Sequence, residues 1–287
     1  MGDGPSEWPE RVPVRQSVPP PRVHGEEMLV TWIGHATVLV QTGGLNILTD
    51  PIWSEPASPF SFIGPKRARA PGVAFERLPK IDLVLISHNH YDHLDLPTLK
   101  RLWERDRPLI VTSLGNDTIL RNEGIEPVAL DWDQTRLFGG GSVTIDRNHH
   151  WSSRWGTDRN RALWSGFTVR LPGGNIFFAG DTGWGDGSWV REAAARGPYR
   201  LAIIPIGAYE PRDFMKTNHV NPEEAVRIFE ALAPTRALSI HWGTFQLTFE
   251  PIDEPRRRLE RLKRERGIAS DRFLATEVGR TFSVPPL

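Results

Sequence analysis

The chain has 287 residues, 35 basic against 35 acidic, and a formal net charge of +0, so no net field draws it to nucleic acid or an anionic membrane. Cysteine is absent, which excludes disulfides, thiolate metal sites and cysteine nucleophiles together. The length suffices for a large core, no run of roughly 18 apolar residues marks a membrane span, and no basic-then-apolar pattern opens the sequence, so a cytoplasmic protein is the expectation.

Residues 1–27 carry Pro5, Pro9, Pro13 and the run Pro19-Pro20-Pro21. Proline at that density denies both helix and ladder, which predicts an extended arm, either loose or wrapped around the body through Trp8. From Met28 the chain turns β-rich, and 28–287 reads as a single domain. Leu29-Val30-Thr31-Trp32-Ile33 and Thr37-Val38-Leu39-Val40-Gln41 are strand-like, and Gly43-Gly44 turns the second into a third strand that ends at Asp50. The Pro-, Ser- and Gly-rich stretch 51–79 is long enough to border a site. Leu83-Val84-Leu85-Ile86 reads as a buried strand, Pro97 with Leu96, Leu99, Leu102 and Trp103 announces a helix, 109–112 a strand, and 116–122 a short helix closed by Gly124.

The second half restates the first. Strand 167–171, a Gly173-Gly174 turn, a strand leading to Asp181 and the apolar run 201–206 match the order that leads through Asp50 to 83–86. Two similar β/α halves predict an α/β (α+β) fold in which two sheets bury one face on each other and carry helices outside, a four-layer αββα sandwich. Asn221-Pro222-Glu223-Glu224 is a helix start, with a capping Asn, Pro at the first position and Glu three residues on. That helix runs to about Leu232, strand 235–240 delivers His241, and 254–266 is a basic helix with Leu259 and Leu262 inward and a solvated arginine face.

The chemistry gathers at Ser87-His88-Asn89-His90-Tyr91-Asp92-His93-Leu94-Asp95, where a strand ends. A polar loop with chance histidines is the competing reading, but nine histidines in the whole chain make such clustering improbable. Imidazole and carboxylate suit a divalent, zinc-like ion, and two residues apart at a strand end His88 and His90 project to the same side. Asp92 and His93 can address a second ion. Two ions need more ligands than this loop holds, and His149-His150, Asp181 and His241 supply candidates downstream.

The form His-x-His-x-Asp-His resembles the signature of the metallo-β-lactamase superfamily. Within it, Trp32-Ile33-Gly34-His35, Thr49-Asp50-Pro51, His150-Trp151-Ser152, Gly180-Asp181-Thr182, Pro205-Ile206-Gly207-Ala208-Tyr209-Glu210-Pro211 and His241-Trp242-Gly243-Thr244-Phe245 are similar to the branch of N-acylphosphatidylethanolamine-hydrolysing phospholipase D and its bacterial relatives. The resemblance implies the metallo-β-lactamase sandwich and two divalent metal ions, zinc first, with manganese or iron also suiting nitrogen and oxygen ligands. It implies His88, His90 and His150 on one ion, Asp92, His93 and His241 on the other, and Asp181 bridging. His150 is taken over His149 because the family motif is His-Trp-Ser. Asp50 is expected to fix a ligand tautomer and His35 to do similar work or sit in the pocket. His219 stands before the capped helix, where backbone N–H groups favour an anion, and is expected to contact substrate.

Asp92, Asp181 and His219 are thus the expected catalytic residues. Two divalent ions, less the two aspartates and a bridging hydroxide, leave one positive charge, which favours a phosphodiester, small or lipid, cleaved by metal-bound hydroxide. Trp53, Trp151, Trp155, Trp184 and Trp242 are expected to line an acyl channel or else fill the core. The competing readings are a lactonase or other carboxylic-ester hydrolase on the same centre, a metal-binding module without catalysis, and a nuclease, which the neutral charge disfavours. The expectation is no nucleic-acid partner and at most peripheral membrane contact.

Overall fold

The computed structural model describes residue 4, residues 6–58 and residues 64–287. Parts of the expected arm, at 1–3 and 5, and of the expected 51–79 loop, at 59–63, lie outside the described residues. Strands β1 (Met28–Gly34), β2 (Thr37–Thr42) and β3 (Leu45–Thr49) form an antiparallel meander. The β2–β3 turn needs two left-handed residues, and Gly43 and Gly44 supply them at φ +56° and +77°. β4 (Leu83–Ile86), helix α1 (Leu96–Asp106), β5 (Leu109–Ser113), α2 (Asn116–Arg121) and β6 (Val128–Leu130) follow, each strand joining in parallel.

The second half begins with a second meander of β7 (Thr135–Phe138), β8 (Gly141–Asp146), β9 (Gly166–Arg170) and β10 (Asn175–Phe178). Then come α3 (Ser188–Ala194), β11 (Tyr199–Pro205), α4 (Arg212–Met215), α5 (Pro222–Leu232), β12 (Arg236–Ile240), α6 (Glu254–Glu265), β13 (Phe273–Leu274) and β14 (Thr281–Ser283). One sheet runs β14-β1-β2-β3-β4-β5-β6 and the other β13-β12-β11-β10-β9-β8-β7. Each therefore carries an antiparallel hairpin followed by parallel strands, which is the repeat legible in the sequence.

The period of two sorts the side chains into layers. Along β4, Leu83 and Leu85 join the core between the sheets with Val143, Phe167 and Phe178, while Val84 and Ile86 join an outer core with Leu99, Leu102 and Leu120 of α1 and α2. On the other side α5 packs on β11, flanked by α3 and α6. The order is αββα, as expected. The α5 start is a capping box: Asn221 Oδ1 accepts from Glu224 N at 2.9 Å, and Glu224 Oε2 accepts from Asn221 N at 3.2 Å.

The described part of the arm runs along the body. Trp8 Nε1 donates to Glu250 O at 2.9 Å, Val12 N to Ala68 O at 2.7 Å, and Ser17 N to Gly72 O at 2.8 Å. Arg22 closes it with both guanidinium nitrogens on Asp82, at 2.6 and 3.0 Å.

Candidate metal centre

Parallel strands of both sheets end at one edge of the sandwich, and the expected site residues gather there. β3 stops before Asp50, β4 before Ser87 and His88, β10 just before Asp181 and β12 before His241. His150 lies in the segment after β8, and His35 in the β1–β2 turn. A tight turn gathers the rest, with His93 N and Leu94 N both donating to His90 O, at 3.1 and 2.9 Å. Asp50, His35 and His241 have φ of +30°, +53° and +62°, a region that costs a side-chain-bearing residue roughly 1–2 kcal/mol. His241 is held there by its N–H donating to His35 O at 3.0 Å.

The first donor group is nitrogen only. His88 Nε2 lies 2.8 Å from His90 Nδ1, and His150 Nε2 lies 3.4 Å from that same atom. His150 Nδ1 donates to Asn218 O at 2.9 Å, so its Nε2 carries a lone pair. Ser87 Oγ donates to Asp50 Oδ2 at 2.6 Å and therefore accepts from His88 Nδ1 at 2.9 Å, so His88 Nε2 is also a lone pair. Two lone pairs face one His90 nitrogen, which has at most one proton. A cation satisfies all three at once. Burial holds His88 and His150 well below the ordinary imidazole value and pulls His90 down to about 4, leaving them neutral as metal ligands must be.

The second group adds carboxylates. His93 Nε2 and His241 Nε2 are 3.2 Å apart. Asp92 Oδ2 lies 3.2 and 3.4 Å from them, and Asp181 Oδ2 lies 3.1 and 3.0 Å. Burial opposes charging His241, but Asp181 and Asp92 outweigh it and push the imidazole up to about 9; His93 is raised for the same reason. The buried carboxylate of Asp181 and the half-buried one of Asp92 call for positive charge at this spot, and protons on these imidazoles supply it where a cation otherwise would. Asp181 Oδ2 also lies 4.0 Å from His88 Nε2 and 3.9 Å from His150 Nε2, between the two groups. Donor set and charge both fit divalent cations, and these residues could hold them.

Asp50 and His35 hold the donors from behind. Asp50 Oδ2 accepts from His93 Nδ1 at 2.6 Å, fixing its tautomer. His35, pulled down to about 3 by burial and the neighbouring His241, is neutral and donates from Nε2 to Asp92 Oδ2 at 2.7 Å. Ser87 and the Asn218 carbonyl were not singled out from the sequence. Their only signal is adjacency to His88 and His219.

His150, not His149, enters the cluster. His149 N instead donates to Thr182 Oγ1, and its imidazole packs at Gly185. His219 sits in the cluster wall, its Nδ1 buried without a partner and 3.9 Å from Asp181 Oδ2. The expected anion seat at the α5 N-terminus is filled by the chain itself, since Asn221 and Glu224 occupy it and Arg212 holds Glu224 with two contacts of 2.6 Å. Of the five tryptophans expected to line a channel or else fill the core, Trp151 and Trp155 border cavities. Trp242 is buried and stacks on Trp32 at 5.0 Å, Trp53 bonds Val73 O and abuts Phe75, and Trp184 lies under Arg227. Trp151 walls the cleft above the cluster, and Trp155 borders a separate cavity of 770 Å³ beyond Tyr91.

The cleft encloses about 460 Å³. Its lining combines the polar His90, Asp92, Asp181 and His219 with the apolar Phe214, Met215 and Leu247. The larger cavity beyond Tyr91 meets none of the converging donors. Among the described residues no helix is long and apolar enough to cross a membrane.

Residues 45–242 match the model of a β-lactamase superfamily domain. The chain is 38% identical over 270 residues to the N-acyl-phosphatidylethanolamine-hydrolyzing phospholipase D 1 of Caenorhabditis elegans, covering 89% of this chain and 76% of that protein. It is 36% identical over 259 residues to the mitochondrial N-acyl-phosphatidylethanolamine-hydrolyzing phospholipase D of Saccharomyces cerevisiae, covering 88% of this chain but 55% of the yeast protein. The fold is shared with Igni18, a metallo hydrolase of the archaeon Ignicoccus hospitalis, at a TM-score of 0.67 and 19% identity, covering 90% and 99% of the two chains. Two helix-flanked sheets, a histidine–aspartate cluster at their edge and these likenesses make the chain a metal-dependent hydrolase that belongs to the metallo-β-lactamase superfamily, in the branch of the N-acyl-phosphatidylethanolamine-hydrolysing phospholipases D.

Proposed function

We propose that this chain is a binuclear metal-dependent phosphodiesterase of the phospholipase D type, acting on a lipid-like phosphodiester. The observation that carries this reading is Asp181 Oδ2 lying within 4.0 Å of donors from both groups, His88 and His150 on one side, His93 and His241 on the other. His88, His90 and His150 would hold one ion, and Asp92, His93 and His241 the second, with Asp181 between. Zinc is the proposed metal, given nitrogen and oxygen donors and no thiolate. When bound, two such ions supply a water acidified to near neutral pH and positive charge that stabilises the phosphoryl oxygens.

The chain's own groups prepare that chemistry. Asp50 and the Asn218 carbonyl keep imidazole protons on the far side of the donors, and His35 fixes the Asp92 carboxylate by its Nε2 proton. Burial pulls His219 down to about 4, so it is neutral, and its unpartnered Nδ1 is suited to one hydrogen bond with a substrate oxygen. In the proposed reaction water adds to phosphorus, the P–O bond to the head-group alcohol breaks, and that oxygen leaves with a proton. A lining that joins polar cluster residues to Phe214, Met215 and Leu247 supports an amphiphilic substrate. A lipid would be met from the membrane surface. The division into an arm over 1–27 and one domain over 28–287 belongs to the same reading, supported by the arm's contacts along the body.

The test assays metal-loaded protein on an N-acylated phosphatidylethanolamine, bis(4-nitrophenyl) phosphate and an acyl-lactone under one condition, with metal analysis of the same sample. About two ions per chain and cleavage of both diesters, the lipid preferred, is the expected result. Cleavage of the aryl diester alone removes the lipid from the reading, and turnover of only the lactone replaces the reaction class.

A further inference from the structure

Among the described residues, one arginine and no lysine lines the metal-centre cleft: Arg159. Its guanidinium carbon lies 4.8 Å from the Trp151 ring centroid, and that ring stands against His90 at 4.4 Å, 66° between planes. The cation is thus one aromatic ring away from a donor of the cluster. Arg154 of the same loop is buried and donates from Nη1 to Asn89 O and Leu94 O at 3.0 Å, whereas Arg159 has no ion-pair partner among the described residues.

The adjacent Asp158 does not neutralise it. Asp158 Oδ1 accepts from Ser153 Oγ at 2.8 Å and from Arg154 N and Trp155 N at 2.9 Å, so that carboxylate is used in shaping the loop. On the other flank Asn160 N donates to Ser152 O at 2.7 Å, and Asn160 Oδ1 accepts from Ser152 N at 3.2 Å. The loop is pinned on both sides of Arg159, whose unpaired charge lines the cleft, whereas Arg161, also without an ion pair among the described residues, does not line it. An ordinary surface arginine is solvated and loses rotamer freedom when it binds; stacking on Trp151 reduces that loss and orients the planar fork.

We propose that Arg159 is a specificity-determining residue that binds the phosphate of the substrate in this cleft. A guanidinium offers two parallel N–H donors that match a phosphoryl group, and a neutral ester or lactone presents no negative charge to it. Arg159 thereby biases a metal centre capable of several hydrolyses toward phosphodiesters. This rests on the phosphodiesterase reading above.

The experiment compares metal-loaded wild type with Arg159→Ala and Arg159→Lys. It measures kcat and KM on bis(4-nitrophenyl) phosphate and on 4-nitrophenyl acetate, and the affinity for phenylphosphonate by calorimetry. For Arg159→Ala the expected result is a rise of about 10- to 100-fold in the diester KM, and a comparable loss of phenylphosphonate affinity, the size of a charge-assisted hydrogen bond. The kcat changes less than KM, the preference for diester over acetate falls at least about tenfold, and Arg159→Lys recovers part of the loss as a point charge without the fork. Unchanged diester KM and phenylphosphonate affinity overturn the proposal. So does an equal loss on both substrates with a lower Tm, which would make Arg159 a support of the loop. If wild type turns over only the acetate, the phosphodiesterase reading fails, yet weaker phenylphosphonate binding by Arg159→Ala still upholds the anion contact.

Discussion

The carboxylate of Asp50 and the imidazole of His93 meet at 2.6 Å, both fully buried. The same Asp50 oxygen accepts from Ser87 Oγ, which in turn accepts from His88 Nδ1. One carboxylate therefore sets the tautomer of an imidazole in each donor group. Asp50 follows β3 and the two histidines follow β4, so the pairing of neighbouring strands is what aligns the donors.

Replacing Asp50 by Asn tests this. The amide oxygen can accept from one donor but cannot serve both with a full negative charge, so both donor groups lose orientation. Metal affinity should fall about 10- to 100-fold, the usual cost of losing a group that orients a ligand. Competition against a chromophoric chelator measures it, with circular dichroism to show that the fold is kept. Wild-type affinity in a folded Asp50→Asn protein would remove Asp50 from this role.

Asp181→Asn should hurt more than His35→Gln. Asp181 Oδ2 faces donors of both groups, whereas His35 reaches only the Asp92 carboxylate, at 2.7 Å. Losing the Asp181 charge weakens both proposed sites, while Gln at 35 can still donate one hydrogen bond. Metal content and turnover of the two variants give the ranking, and equal values in both would overturn it.

What the sequence disclosed was local. The apolar run 83–86 followed at once by His88 marked a strand end, Gly43-Gly44 a hairpin, and Asn221-Pro222 with Glu224 a capped helix. What it hid depends on distant partners. β14 exists because it pairs with β1, which lies at the other end of the chain. β7 was passed over because Thr135, Arg136 and Leu137 are exposed on an edge strand and show no apolar alternation. α3 begins at Gly187 in a left-handed conformation, with no side-chain cap to announce it. At the centre, His35 and Asp50 were legible as candidates, but the Asn218 carbonyl is backbone and no residue type reveals it. Trp242 was expected in a channel or in the core, and it lies just beyond the end of β12, stacked on Trp32 in the core.

Asp146 carries a pH dependence separate from the metal centre. Thr168 Oγ1 donates to its Oδ2 at 2.6 Å and Arg196 lies 3.2 Å from its Oδ1, but burial dominates and pushes the carboxyl up to about 6. Its unfolded value is about 4, so the folded chain binds the extra proton between the two values. The stability Asp146 contributes is therefore present below about pH 4 and lost as pH rises through about 6. Asp146→Asn removes that titration. Between pH 4 and 7.5 the difference in unfolding free energy should shift by about 2 kcal/mol in favour of the variant. Denaturant melts of both proteins at the two pH values measure it, and a pH-independent difference would count against the buried acid.

Gly180 is the residue before Asp181. Its φ is +61°, and a Cβ there would stand 2.8 Å from Ser165 O and 2.8 Å from Ser87 Cβ. Neither neighbour can give way cheaply. Ser165 N already donates to Ser87 O at 3.0 Å, which ties the second sheet to the end of β4 where the first ligand loop begins. Gly180→Ala would wedge these segments apart by tenths of an ångström, at the point where Asp181 faces His88 across 4.0 Å. Gly124 is the control, since its φ of +73° is equally left-handed but a Cβ there meets nothing within 4 Å. Gly124→Ala should cost only the backbone conformation, about 1 kcal/mol. Gly180→Ala should cost that plus about 1–3 kcal/mol of overpacking and should also lower metal content, because the displaced residue is next to the shared aspartate. Thermal melts with metal analysis separate the two effects. Equal losses of stability with full metal content in both variants would mean that the Gly180 contact absorbs a methyl group and does not set the spacing of the donors.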